Sequence, residues 1–354
     1  MCWDFRTFHS VADTYLLLFL STVISSIMLT TDRMSVGKTS TCLGILGALL
    51  AKGYHPEELA YIKPATQNEN PQLVQLYCEM IGIECVPIGP VVYYRGFTRA
   101  FLAGMTQTSE EMLQQVGEAV DKLANGKKVV VIDGVGFPAV GSICGTDNAS
   151  VARASGYPNP ASSLPGDRIP PAVVLIGGSG VGSAVDAFNL NATYFEMANI
   201  AVLGGIWNKL ALDGFYSLEN CKEQITSYFS QNAKQVELGR QCFGFVPIFS
   251  SLADAGTTDH VDEFIEVFQK HVDIDALLNA ARRSLSLGSH VMGDGNGKRT
   301  EQRRAEIISY TGRDTSESGS PPTKRQRRTE KARKPFSRDQ IEQSAIQAGA
   351  APSA

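Results

Sequence analysis

The chain is short of the residues that mark most metal and nucleophile sites. Its seven cysteines (Cys2, Cys42, Cys78, Cys85, Cys144, Cys221 and Cys242) form no C-x-x-C pair and have no adjacent histidine. That excludes a zinc ribbon or a thioredoxin-like motif and leaves reduced thiols used as small core residues. The five histidines (His9, His55, His260, His271 and His290) are scattered as widely, so spacing supports neither a His-rich metal site nor a Ser-His-Asp arrangement. Long apolar runs are missing too. Tyr15–Leu29 carries no charge but falls short of the ~20 apolar residues of a membrane span. As a signal h-region it is flanked by Asp4 and Asp13 where positive charge is expected, and no A-x-A site follows. The expectation is an ill-defined apolar leader over residues 1–24 ahead of a buried first strand, with a signal peptide as the alternative.

Net charge is also low, but unevenly divided. The formal charge is -4 over 354 residues, yet residues 298–338 hold 13 Lys and Arg against 5 Asp and Glu, a net +8 that leaves the remainder at -12. An acidic body speaks against a nucleic-acid groove in the fold itself. Residues 288–354 have few large apolar side chains and are expected to be a disordered basic tail. Its clusters Lys324–Arg328 and Lys331–Lys334 have the character either of a nuclear-localisation signal, with an import receptor as partner, or of a merely solvated tail. The expected location is therefore cytoplasmic or nuclear.

What the sequence does have is alternation. Short β-rich runs at 25–30, 59–62, 129–132, 172–176, 201–206 and 242–248 interleave with helical stretches at 39–52, 72–81, 108–125, 222–232 and 261–285. This is the pattern of a three-layer α/β fold, a mainly parallel central sheet covered by helices, within one domain spanning 25–287. Gly53 stands where a left-handed C-cap belongs, and Thr108–Glu111 is a capping box. The Gly-, Pro-, Ser- and Asn-rich stretch 134–171 predicts a long surface loop.

The chemistry centres on Ser35-Val36-Gly37-Lys38-Thr39-Ser40. A Gly-Lys-Thr triplet between an apolar strand and an apolar helix points backbone N–H groups and the helix N-terminus at an anion. The lysine then reaches the terminal phosphates and the threonine hydroxyl can ligate Mg²⁺. The strict G-x-x-x-x-G-K-[ST] motif fails, because Asp32 stands where its first glycine belongs. Asp133, at the end of the most apolar strand, is placed to hold Mg²⁺ directly or through water. Lys63, followed by Pro64, ends another strand and offers a second cation, or a solvated strand end. The Gly177–Gly182 run looks like a further phosphate loop but lacks Gly-Lys-[Ser/Thr]; its glycines permit close helix and strand packing.

In order and approximate spacing, Val36-Gly37-Lys38-Thr39, Lys63-Pro64, Asp133-Gly134-Val135-Gly136, Asn208 and Gly244-Phe245-Val246-Pro247 resemble the dethiobiotin synthetase family of P-loop proteins. The resemblance implies ATP and Mg²⁺ as cofactors, held by Ser35 to Ser40 with Thr39 and Asp133 on the metal. It further implies Asn208 and Pro247 near adenine, and Lys38 and Lys63 acting on the transferring phosphoryl group and carbamate. The implied activity, part of biotin biosynthesis in that family, is an ATP-dependent C–N ligation: carboxylation and ring closure of a diamine, by a homodimer acting on a small-molecule substrate. A non-catalytic or regulatory ATP-binding module of the same fold and an amide ligase of the cobyrinate diamide synthase type are the alternatives. The chain departs from the family at Thr30 or Thr31, where the family's loop begins with glycine, at Ala65–Glu69 after Lys63-Pro64, and at Gln72, where a metal-binding aspartate is expected.

Overall fold

The computed structural model describes residues 25–67, 70, 72–159, 166–253 and 258–291. The leader at 1–24 and the basic clusters beyond 291 lie outside them. Seven strands form one sheet: β1 (Ser25–Thr31), β2 (Leu59–Ile62), β3 (Glu84–Val86), β4 (Val129–Asp133), β5 (Ala172–Gly177), β6 (Val202–Leu210) and β7 (Gln241–Pro247). Their order is β7-β6-β5-β1-β4-β2-β3, with every pairing parallel. β1, β2, β4 and β5 are buried along their whole length, as expected for strands covered on both faces.

Strand alternation sends Ile27 and Leu29 to one face and Met28 to the other. The first face packs against α1 (Lys38–Ala51), α2 (Leu73–Ile81), α7 (Val261–His271) and α8 (Ile274–Val291). The second packs against α3 (Ser109–Ala124), α4 (Asn148–Ala154), α5 (Gly182–Met197) and α6 (Leu218–Gln231). The architecture is a three-layer fold of the P-loop NTPase type: a parallel sheet between two helical layers, with β1 feeding the Ser35–Thr39 loop and β4 beside it. The capping box forms as expected, with Glu111 N donating to Thr108 Oγ1 (3.2 Å) and Thr108 N donating to Glu111 Oε2 (2.8 Å).

Among the elements that differ from the sequence expectation, four shape the sheet and its helical layers. The helix expected over 261–285 is two, because Val272 is extended (φ -127°, ψ 126°) and bridges Gly244 on β7. Asp273 N then donates to Phe243 O (2.8 Å), and its carboxylate accepts from Ala276 N (2.8 Å), starting α8 as an N-cap. The loop expected over 134–171 contains α4, whose N-cap Asp147 accepts from the amides of Ala149 and Ser150. β6 runs on to Leu210 instead of stopping at Ile206, because register shifts against β7 let it carry Trp207 into the core while continuing to pair. β3, short and on the sheet edge, has too few apolar residues to stand out as a strand.

Candidate functional site

Two left-handed residues, Ser35 (φ 62°) and Gly37 (φ 85°), turn the chain from β1 into α1. At position 37 a Cβ would lie 2.5 Å from Asn208 Nδ2, so both backbone and space demand glycine. The loop carbonyls are tied down from β6: Asn208 Nδ2 donates to Val36 O (3.0 Å) and Lys209 Nζ to Ser35 O (2.9 Å). Gly37 O accepts from Thr41 N (2.9 Å). The amides of Val36 to Ser40 donate to no group among the described residues. A set of unbonded N–H groups at the N-terminus of a 14-residue helix is a cradle for an anion.

The missing first glycine of the strict motif has a local explanation. Asp32 is not among the residues with positive φ, so its position makes no demand for glycine. Its amide donates to Ile176 O (3.0 Å), its carbonyl accepts from Asn191 Nδ2 (3.2 Å), and its carboxylate pairs with Arg33 (3.2 Å). Burial raises the Asp32 pKa against the pull of Arg33. Thr30 Oγ1 donates to Gly136 O (3.0 Å), whereas the buried Thr31 hydroxyl has no partner among the described residues.

The parallel register sets Leu29 beside Asp133, which brings the end of β4 to the phosphate loop. Asp133 is fully buried. Its Oδ1 meets Lys38 Nζ, while its Oδ2 accepts from Thr39 Oγ1 (3.1 Å) and from the Tyr61 hydroxyl (2.7 Å). Burial pulls the Lys38 ammonium down, to about 7, with Cys42 opposing and the Lys63 charge adding to the fall. The carboxylate touching Nζ acts in the opposite sense and favours the ammonium, as an arriving phosphate would. Burial also drives the Tyr61 phenol well above its ordinary value, so it stays a donor.

Lys63, 8% exposed, donates from Nζ to Gln72 Oε1 (3.1 Å), and its own amide donates to Val86 O (2.9 Å). Burial lowers its pKa, with Cys42 opposing. Ser40, Asn208 and Pro247 line a cleft of about 110 Å³ together with Lys209, Phe249, Leu252 and Phe264. The residues singled out in the sequence thus fall into a loop end (Ser35 to Thr39, Asp133) and a cleft end (Ser40, Asn208, Pro247), with Asn208 joining the two. Lys63 stands at the end of β2.

Three residues of the site escape sequence reasoning: Tyr61, Lys209 and Asn148. The last ties down the turn after Asp133, accepting from Val135 N (2.9 Å) and donating to Val135 O (2.7 Å) and Phe137 O (2.9 Å). The one signal for Tyr61 is a phenol inside a buried Leu-Ala-Tyr-Ile strand, where its hydroxyl needs a partner. For Asn148 it is the Asp-Asn pair that opens α4.

The residues fit a magnesium ion. Mg²⁺ is usually held by one or two protein oxygens together with substrate phosphates and water, and Thr39 and Asp133 supply such oxygens side by side. Among the described residues no cluster of His, Cys, Asp and Glu gathers as a metal site by itself.

No protein-family model matches the sequence, and no curated protein matches it. Among solved structures the chain is similar to the signal recognition particle receptor FtsY of Elizabethkingia anophelis in complex with GDP, at 16% identity and a TM-score of 0.38 over 70% of this chain and 64% of that one. It is similar to the signal recognition particle 54 kDa protein of Aeropyrum pernix K1, also with GDP, at 13% identity and a TM-score of 0.36 over 75% and 50%. It is similar to McdA of Cyanothece at 11% identity and a TM-score of 0.43 over 74% and 100%. The chain thus spans 64% and 50% of the first two proteins. At this level of likeness the P-loop architecture rests on the chain's own strand order and loop.

Proposed function

We propose that the chain binds a magnesium nucleoside triphosphate, ATP by the sequence resemblance, with the phosphates on the Val36–Ser40 amides and Lys38. One observation carries the reading. At the start of α1, whose first amides are unbonded among the described residues, a buried lysine and Thr39 meet on Asp133, and amides, a lysine and an oxygen pair are what a metal-bound polyphosphate requires. Bound Mg²⁺ would neutralise phosphate charge. Thr39 and Asp133 would hold it directly or through water, Lys38 would leave Asp133 for phosphate, and the cleft beside Asn208 and Pro247 would take the base.

The finer reading is an ATP-dependent ligase of the dethiobiotin synthetase kind, acting on a small amine as a homodimer. What supports it is Lys63, nearly buried and close enough for its charge to lower the Lys38 pKa. One observation favours a binding module instead: Lys63 Nζ is held by Gln72, where the family has a metal-binding aspartate.

Titrating MgATP and MgGTP against wild type, Lys38→Ala and Lys63→Ala tests both levels. Lys38→Ala should lose binding and turnover together. Lys63→Ala should keep ATP affinity within a few-fold and slow ADP release with the right amine and bicarbonate roughly a hundredfold, ~3 kcal/mol. Wild type that binds MgATP but releases no ADP with any diamine, amino acid or carboxylate identifies a binding module. Failure to bind either nucleotide sinks the whole reading.

A further inference from the structure

Among the described residues the Asp133 carboxylate has three donors, and two of them belong to the Ser35–Thr39 loop. Lys38 meets Oδ1, and Thr39 shares Oδ2 with the hydroxyl of Tyr61 at 2.7 Å. Lys38 cannot serve Asp133 and a nucleotide equally, since an ammonium that turns to polyphosphate weakens its hold on the carboxylate. The Thr39 hydroxyl then has to present its lone pair to a metal while keeping its proton on Oδ2. Tyr61 alone is independent of the ligand. It sits on β2, next to β4 in the sheet with Tyr61 in register with Val131, and its side chain is entirely buried.

We infer that Tyr61 is a positioning residue for the metal, fixing the Asp133 carboxylate when Lys38 turns to phosphate so that one face of it is kept for Mg²⁺ or its water. The inference rests on the nucleotide reading above. It goes further by giving a role to a β2 tyrosine that touches neither nucleotide nor metal. Hydrogen-bond partners of metal-binding groups commonly contribute ten- to a hundredfold to metal affinity, while the nucleotide's own contacts with the loop amides should not depend on them.

The test is the ratio of two affinities, ATP with Mg²⁺ and ATP in EDTA, measured by calorimetry on the full chain. Mn²⁺ binding to the ATP complex, followed by EPR, is the second readout. Tyr61→Phe removes one oxygen and keeps the ring. It should leave the EDTA affinity within about twofold and weaken Mg²⁺ or Mn²⁺ binding by about tenfold or more. 4-Aminophenylalanine at position 61 restores a donor and should recover most of that loss; it also serves as the informative variant if the phenylalanine protein does not fold. In an Asp133→Asn background the Tyr61→Phe change should add almost nothing. Equal loss of affinity with and without metal would show a merely structural role and overturn the inference. So would an unchanged metal affinity in Tyr61→Phe, or no recovery with the amino analogue. Wild type that shows no metal-linked ATP binding removes the underlying reading as well, which separates the two failures.

Discussion

Gly37→Ala probes the loop most directly, because two independent penalties meet there. The native backbone at 37 is left-handed, φ 85° and ψ 36°, which costs an L-residue about 1–2 kcal/mol. The new methyl would also lie 2.5 Å from Asn208 Nδ2 and 3.3 Å from Lys209 Cε. Moving Asn208 aside gives up its bond to Val36 O, about 1 kcal/mol. Together these predict a loss of about 2–3 kcal/mol, or a fall in Tm of about 4–12 °C for a domain of this size, measured by thermal or urea unfolding without nucleotide. Asn208→Ala alone should cost about 1 kcal/mol. The double variant, freed of the collision, should cost less than the two singles combined, because the bond to Val36 O is then lost only once. MgATP affinity should fall in every variant carrying alanine at 37, since the strained loop no longer aligns its amides. A Gly37→Ala protein within about 0.5 kcal/mol of wild type, or strict additivity in the double variant, would show that neither the backbone at 37 nor the Asn208 contact constrains the loop.

Two further outcomes follow from contacts away from the loop. Asn148→Ala leaves Val135 N and Val135 O without their partner, while Phe137 O keeps its bond from Val140 N; it should cost about 2–3 kcal/mol in urea unfolding and loosen the turn after Asp133. Burial would raise the Glu196 pKa, but hydrogen bonds and charge from Lys234 and Arg240 outweigh it and hold the value below the ordinary 4.5. A depressed carboxylate contributes stability that is fully present above its unfolded pKa and is lost as pH falls through the folded one. Glu196→Gln should therefore be less stable than wild type at neutral pH, by about 2 kcal/mol because buried Arg240 loses its charged partner. The gap between the two should close below about pH 4.5 in acid titrations followed by circular dichroism.

The sequence alone determined the elements whose information is local. Gly-Lys-Thr between an apolar strand and an apolar helix, the capping box at Thr108, and the wholly apolar Val129–Ile132 run each identify themselves within a few residues, because caps and buried strands depend on neighbours in the chain. Asp133 was legible as the polar residue ending such a strand. Tertiary structure decided what those residues touch. That Tyr61 reaches Asp133 depends on β2 lying next to β4, 72 positions apart in sequence. That Asn208 and Lys209 hold the loop carbonyls depends on a β6 that runs past Ile206 with shifted register. The break at Val272, set by a bridge to Gly244, overrides a continuous helical pattern for the same reason. Hydrophobic periodicity tells a strand that it is buried, but only the order of strands in the sheet selects which polar side chains find each other, and a site made of such pairs is written in that order.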